Sequence, residues 1–99
     1  MYGTICHMAE AQLLLKTRST HKGGIVEMVV WQVPQPVPPS DHAFKYRLVF
    51  IRKGQRVVGY DNERGKGDHK HLAKQELPYK FVDIETLIAD FLRDVETKQ

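Results

Sequence analysis

The 99 residues are 41% hydrophobic, which favours one domain over 1–99 with a core of its own. The single cysteine, Cys6, excludes an internal disulfide framework and is typical of a reducing cytoplasm, and no apolar run approaches the roughly 20 residues that span a bilayer. The formal net charge is +3, with nine basic and three acidic residues between Lys45 and Lys74. Such a concentration of positive charge favours a polyanionic partner such as nucleic acid.

The first third of the chain predicts two paired strands. After residues 1–8, which we treat as a flexible arm, AQLLLKTR (11–18) is joined by a glycine turn to IVEMVVWQV (25–33). Apolar residues at both parities of the second segment predict a strand covered on much of both faces, with Trp31 packed inside. VPQPVPPSDH then carries four prolines, so we interpret 34–42 as a stiff connector.

A β-hairpin is predicted over KYRLVFIRKGQRVVGYDN (45–62). A two-residue turn at Lys53-Gly54 would place Arg47 opposite Tyr60 on one face, leaving the other face apolar. The far end of the first face is then basic with one aromatic ring. A register slip of one residue would exchange the two faces.

The C-terminal segment predicts an amphipathic helix with Asp83 as its N-cap. Its apolar residues follow helical spacing: Ile84, Leu87, Ile88, Phe91, Leu92 and Val95. We expect this helix to cover the apolar face of the sheet. The predicted fold is α+β, a four-stranded antiparallel β-meander packed by a C-terminal α-helix.

The segment GYDNERGKGDHKH (59–71) has too few apolar residues to form a core, and we predict a long loop there. Long ordered loops are often functional. A purely structural interpretation is a tight turn in which Asp61 and Asn62 cap the backbone. The other histidines, His7, His21 and His42, are expected to be exposed.

Metal binding is one chemistry open to this segment. His69 and His71 would share one face if extended, and carboxylates could add oxygen ligands: Asp61, Glu63 and Asp68. Lys66 and Lys70 would oppose a cation. We therefore expect neither a metal nor another cofactor.

Metal-independent RNA cleavage is the second chemistry. It needs a base, an acid and cations that balance the charge on the phosphate. The candidate catalytic residues are Asp61, Glu63, His69 and His71. The candidate RNA- or phosphate-binding residues are Lys45, Arg47, Tyr60, Arg64, Lys66 and Lys70, with Tyr60 stacking on a base.

A family resemblance adds to these interpretations. VVGYDNERGKGDHKH, followed by PYKFVDIETLIADFLRDV, resembles the TumE-type toxins of toxin–antitoxin systems, and EMVVWQVP suits the family's second strand. The resemblance implies a cytoplasmic toxin that is neutralised by a protein antitoxin, typically one with a helix-turn-helix domain. By analogy, the RelE-like toxins of similar size and architecture cut mRNA at the ribosome.

These observations together predict the toxin of a type II toxin–antitoxin system that acts as a metal-independent endoribonuclease on mRNA or ribosome-associated RNA. The expected partners are an antitoxin and RNA, with no membrane, and a sheet edge could also accept a second copy of the chain. Two alternatives stay open: a non-catalytic RNA- or ribosome-binding module, and a metal-dependent nuclease.

Overall fold

The computed structural model describes residues 10–98, and it has α+β architecture. Six strands form one antiparallel meander in chain order, followed by one helix, so the predicted number of four strands is wrong. The strands are β1 (Gln12–His21), β2 (Gly24–Gln32), β3 (Phe44–Arg52), β4 (Gln55–Glu63), β5 (Gly67–Leu72) and β6 (Gln75–Pro78), and the helix is α1 (Ile84–Thr97). The expected arm 1–8, which includes Cys6 and His7, lies outside the described residues.

The helix α1 begins where the sequence predicts. The backbone N–H of Thr86 donates to Oδ1 of Asp83 at 2.7 Å, which confirms Asp83 as the N-cap. One stripe of α1 is buried against the sheet, and it comprises Leu87, Phe91 and Val95. Among residues 10–98, no helix is both long enough and apolar enough to cross a membrane.

The sheet has two different faces because side chains alternate along each strand. We call the side that packs against α1 the helix face. Its buried residues are Val26, Val30, Tyr46, Leu48, Phe50, Val58 and Tyr60. We call the opposite side, which no helix of the described chain covers, the open face. Arg47, which alternates with Tyr46 and Leu48, is exposed there.

The β3–β4 hairpin has the predicted turn but not the predicted register. Lys53 and Gly54 both have positive φ, and Ile51 pairs with Arg56 as a two-residue turn requires. A β-bulge follows, because Phe50 pairs with Val58 and Val57 is the extra residue. Beyond a bulge every side chain lies on the opposite face from that in a regular hairpin.

The bulge reverses the predicted faces at the far end of the hairpin. Arg47 lies opposite Asp61 instead of Tyr60, and Tyr60 lies opposite Leu48. Tyr60 therefore enters the core on the helix face, and Asp61 emerges on the open face. The predicted pairing of Arg47 with Tyr60 is wrong for this reason.

The predicted loop over 59–71 is also wrong. Its first residues complete β4, Arg64–Lys66 form a turn, and β5 begins at Gly67. Gly65 and Gly67 have positive φ, at 88° and 76°, which glycine adopts without steric cost. No alternating apolar pattern marks these strands in the sequence, since polar side chains occupy both faces.

The proline-rich segment connects β2 to β3 and folds back onto the β4–β5 turn. The N–H of Val33 donates to the carbonyl of Ala43 at 2.9 Å, which closes the connector. The N–H of Gly65 donates to the carbonyl of Pro38 at 2.8 Å. The connector thereby holds the end of the hairpin from which the candidate site residues extend.

Candidate functional site

Three of the four predicted catalytic side chains meet on the open face. In the β4–β5 pair, Asp61 lies opposite His69, and Gly59 lies opposite His71. His69 and His71 are two residues apart in one strand, so they share a face. The metal-binding atoms of Asp61, His69 and His71 all lie within 4.8 Å of one another. We call these three residues the Asp-His-His cluster.

The centre of the cluster is a close contact between Asp61 and His69. Nδ1 of His69 donates to the carbonyl of Gly67 at 3.0 Å, so Nε2 is the nitrogen that faces Asp61. Nε2 lies 2.6 Å from Oδ1 of Asp61. The contact does not have hydrogen-bond geometry, and both atoms are buried without a hydrogen-bond partner in the described part of the chain. Only 5% of the His69 side chain is exposed.

Two more carboxylates surround His69. Oε2 of Glu76, in β6, lies 3.5 Å from Nε2 of His69 and 3.8 Å from Nε2 of His71. Oε1 of Glu63 lies 3.8 Å from Nε2 of His69. A hydrogen bond from Lys66, at 3.2 Å, lowers the pKa of Glu76 below its ordinary value. Sequence reasoning missed Glu76 because it did not predict β6, and the short segment QELP gives little signal for a strand.

Arg56 is a second residue that the sequence did not indicate. A Cβ on Gly59 would lie 2.8 Å from Cδ of Arg56, so the Arg56 side chain runs along β4 over Gly59, the residue opposite His71. Burial lowers the pKa of His71 below its ordinary value, and the positive charge of Arg56 lowers it further. His71 is therefore a neutral imidazole near pH 7.

Four of the predicted phosphate-binding residues lie on the open face or in the adjoining turn. Arg47 is exposed on β3 opposite Asp61, and Arg64 is exposed in the β4–β5 turn. Lys45 donates to the backbone carbonyl of Asn62, and Lys66 pairs with Glu76. Arg47 and Arg64 are the two of these four whose side chains form neither an ion pair nor a hydrogen bond with the protein among residues 10–98.

Tyr60 and Lys70 lie on the helix face, away from the cluster. Tyr60 is fully buried, and its hydroxyl donates to Asp94 of α1. Burial, together with this hydrogen bond, raises the pKa of Tyr60. Nζ of Lys70 lies 3.4 Å from Oδ2 of the same Asp94. These two side chains tie β4 and β5 to the helix, and the Tyr60 ring has no free face for a base.

Two shallow grooves lie on the open face over β1–β3, and Arg47, which is opposite Asp61, lines both. One has a volume of about 440 Å³ and is lined by Lys16, Thr17, Arg18, Glu27, Val29 and Arg47. The other, of about 270 Å³, is lined by Val29, Trp31, Lys45, Tyr46 and Arg47. Trp31 lines this second groove and is partly buried there. We call Lys16, Arg18, Lys45 and Arg47 the cationic strip.

A second polar cluster, centred on Asp68, is structural. Asp68 accepts hydrogen bonds from Ser40 at 3.0 Å, His42 at 2.8 Å and Tyr46 at 2.7 Å. The His42 ring stacks on Phe81 with 3.8 Å between centroids, and 11% of its side chain is exposed. The expectation that His42 is exposed is therefore wrong. Each hydrogen-bonding group in this cluster has a partner, and it joins the connector to β3 and β5.

A comparison with protein families identifies what kind of chain carries this site. A family model described as Toxin TumE matches residues 7–99, a range that contains both polar clusters and the cationic strip. The chain belongs to the TumE toxin family. A TumE toxin implies a cognate antitoxin as its partner. No curated protein and no solved structure matches the chain significantly.

Proposed function

We propose that this TumE toxin cleaves RNA and that the Asp-His-His cluster is where the reaction takes place. The observation that carries the proposal is the position of the cluster. Groups that can transfer protons or bind a metal converge at one point of the open face, directly beside the cationic strip. A phosphate backbone on the strip would bring its phosphodiester bonds to Asp61 and His69.

RNA cleavage by attack of the 2′-hydroxyl requires a base and cations, and groups of both kinds lie at or beside the cluster. A base removes the proton of the 2′-hydroxyl, its oxygen attacks phosphorus, and the bond from phosphorus to the 5′-oxygen breaks as that oxygen takes up a proton. Arg47 and Arg56 are placed to balance the charge on the phosphate. The base is an imidazole, as the sequence predicts; a metal ion held by Asp61, His69 and His71 would instead supply the basic group by making a water more acidic. The unpartnered atoms of Asp61 and His69 favour the metal.

Single-stranded RNA fits the open face better than a duplex does. The grooves are shallow, and Trp31 lies beside Lys45 of the neighbouring strand as a ring on which a base can stack. Trp31 takes the role that the sequence gave to Tyr60. We propose mRNA or ribosome-associated RNA as the substrate.

The test compares wild-type toxin with Asp61→Asn, His69→Gln and His71→Gln, expressed without antitoxin and assayed on RNA in vitro. The matched control is His21→Gln, since His21 pairs with Glu96 of α1 rather than with the cluster. Wild type and control should arrest growth and fragment RNA, and each cluster variant should lose about 100-fold or more of the cleavage rate. Binding of the cognate antitoxin verifies that each variant is folded. Equal cleavage by all five proteins would remove the cluster from the mechanism.

A non-catalytic RNA- or ribosome-binding module is the second candidate, because the cationic strip alone suffices for binding. In that case the toxin stops translation while mRNA and rRNA stay intact. Substitutions in the strip would then abolish growth arrest, whereas the cluster variants would remain fully toxic.

The cognate antitoxin is proposed to be a helix-turn-helix protein, on the strength of the resemblance. An edge strand of the sheet is the surface best suited to it, or to a second copy of the toxin. At the β1 edge, Leu13 and Leu14 are about half exposed, at 47% and 48%. Exposed leucines on an edge strand favour pairing with another chain.

A further inference from the structure

The contact between Asp61 and His69 is incomplete without a cation. Because Nδ1 of His69 carries the proton that it donates in a hydrogen bond to the carbonyl of Gly67, the neutral ring has a lone pair on Nε2. That lone pair lies 2.6 Å from a carboxylate oxygen that also has lone pairs. Both atoms are buried and have no hydrogen-bond partner among residues 10–98. Such an arrangement is costly unless positive charge lies between the two groups or beside them.

A proton shared between Nε2 of His69 and Oδ1 of Asp61 would require hydrogen-bond geometry, which the two side chains do not have. A protonated Nε2 would have to direct its N–H at Oδ1 of Asp61, and the geometry of the contact is not that of a hydrogen bond. A ring nitrogen of His71 is a third ligand atom within 4.8 Å of the other two, and a proton shared by Asp61 and His69 would not account for it. We propose that Asp61, His69 and His71 bind a divalent transition-metal ion of the zinc class.

The donor set selects the class of metal. Two imidazole nitrogens and one carboxylate oxygen suit zinc and its neighbours, whereas magnesium and calcium prefer oxygen ligands alone. Three protein ligands leave a coordination position open for water or substrate, as in catalytic zinc sites. The carboxylate of Glu63, 3.8 Å from Nε2 of His69, adds negative charge that favours a cation, whereas the nearby carboxylate of Glu76 is paired with Lys66.

The two lysines that the sequence predicts to repel a cation, Lys66 and Lys70, do not present free charge to the cluster in the fold. Lys70 is directed to the helix face, where it meets Asp94, and Lys66 is neutralised by Glu76. Arg56 is the cation that stays near the site, because its side chain lies over Gly59, which is opposite His71.

The metal would act in RNA cleavage only if the proposed function holds, but its binding can be tested separately. Tag-free, full-length toxin is freed of metal with a chelator and then titrated with Zn²⁺, Co²⁺ or Mg²⁺ by calorimetry, with the visible absorption of Co²⁺ as a direct report of its ligands. We expect one Zn²⁺ or Co²⁺ per chain, and no comparable binding of Mg²⁺.

The variants locate the ion. Loss of a partner that only orients a ligand already costs about 10- to 100-fold in affinity. His69→Gln and His71→Gln should therefore weaken binding at least about 100-fold, and Asp61→Asn, which keeps one oxygen donor, at least about tenfold. His21→Gln should bind as wild type does. So should Cys6→Ser combined with His7→Gln, which removes two potential ligands outside the described residues.

Folding is checked by thermal unfolding followed by circular dichroism. Zn²⁺ should raise the Tm of wild type and both controls, and should leave the Tm of a folded His71→Gln variant unchanged. Failure of wild type to bind Zn²⁺ or Co²⁺, wild-type affinity in the cluster variants, or equal binding of Mg²⁺ would each overturn the metal site. RNA cleavage is scored apart: a toxin that binds metal but leaves RNA intact refutes the proposed function alone, and one that cuts RNA without binding metal refutes the metal site alone.

Discussion

Individual residues of one strand serve two different purposes in this toxin. In β5, His69 and His71 extend to the open face. Asp68 and Lys70, which alternate with them, extend to the helix face and pair with side chains there. Four polar residues in succession thus divide between a candidate site and the core, because side chains alternate along a strand. The residue types alone do not indicate which two belong to the candidate site and which two to the core.

This division predicts different effects for two cations that the sequence treats alike. Arg47→Ala should weaken RNA binding and reduce the slope of log K against log salt by about 0.7, the value for one lost phosphate contact on a single strand. Lys70→Ala should leave that slope unchanged, because Lys70 is bound to Asp94 on the other face. Filter binding on single-stranded RNA at several salt concentrations measures both.

Lys70→Ala should instead lower the stability of the fold, since it leaves the carboxylate of Asp94 with one partner fewer. Urea unfolding supplies this readout and shows that the variant remains folded in the binding assay. An unchanged slope for Arg47→Ala, or a reduced slope for Lys70→Ala, would contradict the assignment of the two residues to different faces.

At the scale of elements, the bulge in β4 has the largest consequence for the site. A regular hairpin would place Tyr60 beside Arg47 and bury Asp61. The extra residue Val57 exchanges the two faces, so that Asp61 lies on the open face in contact with His69. The turn residues Lys53 and Gly54 were predictable from local chemistry, whereas the bulge depends on Val58 and Tyr60 fitting beneath α1.

The helix is the element whose sequence prediction was most complete, and its N-cap carries a testable pH dependence. The N–H of Thr86 lowers the pKa of Asp83 below its ordinary value. A lowered pKa means that the ionised cap stabilises the fold above the unfolded-state pKa, and that this stabilisation is lost as the pH falls through the folded-state pKa. Asp83→Ala should therefore lower the urea midpoint at pH 7, and its deficit should shrink from about pH 5 downward.

Asp83→Ser is the matched control for the cap. Serine keeps a hydroxyl acceptor for the Thr86 N–H without a titrating charge. Its midpoint at pH 7 should lie between those of wild type and Asp83→Ala. A deficit of Asp83→Ala that stays constant down to about pH 2 would show that the charge of the cap has no part in the effect.

At the scale of the whole molecule, α1 covers the six-stranded sheet that residues 10–98 form, and a single helix cannot bury all six strands equally. Its buried side chains come from β2, β3, β4 and α1. At the far edge, β6 has four residues, of which only Leu77 is partly buried. Buried side chains are therefore concentrated in the central strands and sparse in β6, and the candidate site lies between these two regions.

This distribution predicts the pattern of native-state hydrogen exchange in metal-free toxin. The amides of β3 and β4 should exchange only through global unfolding, whereas those of β6 should exchange through local opening at a lower free energy. Peptide-level mass spectrometry over a range of low urea concentrations resolves the two. Equal protection of β6 and β3 would mean that the edge belongs to the same cooperative unit as the core.

The sequence by itself determined the class of the fold, the cap and stripe of the helix, the β3–β4 turn, the family, and three side chains that meet at the site. These features are set by local propensity, periodicity and motif, which act over a few residues. Only the tertiary structure decided the two additional strands, the register beyond Val57, and the faces on which Tyr60 and Lys70 lie. It also added Glu76 and Arg56 to the site. Those outcomes depend on which face of the sheet α1 covers, and hence on packing between residues far apart in the chain.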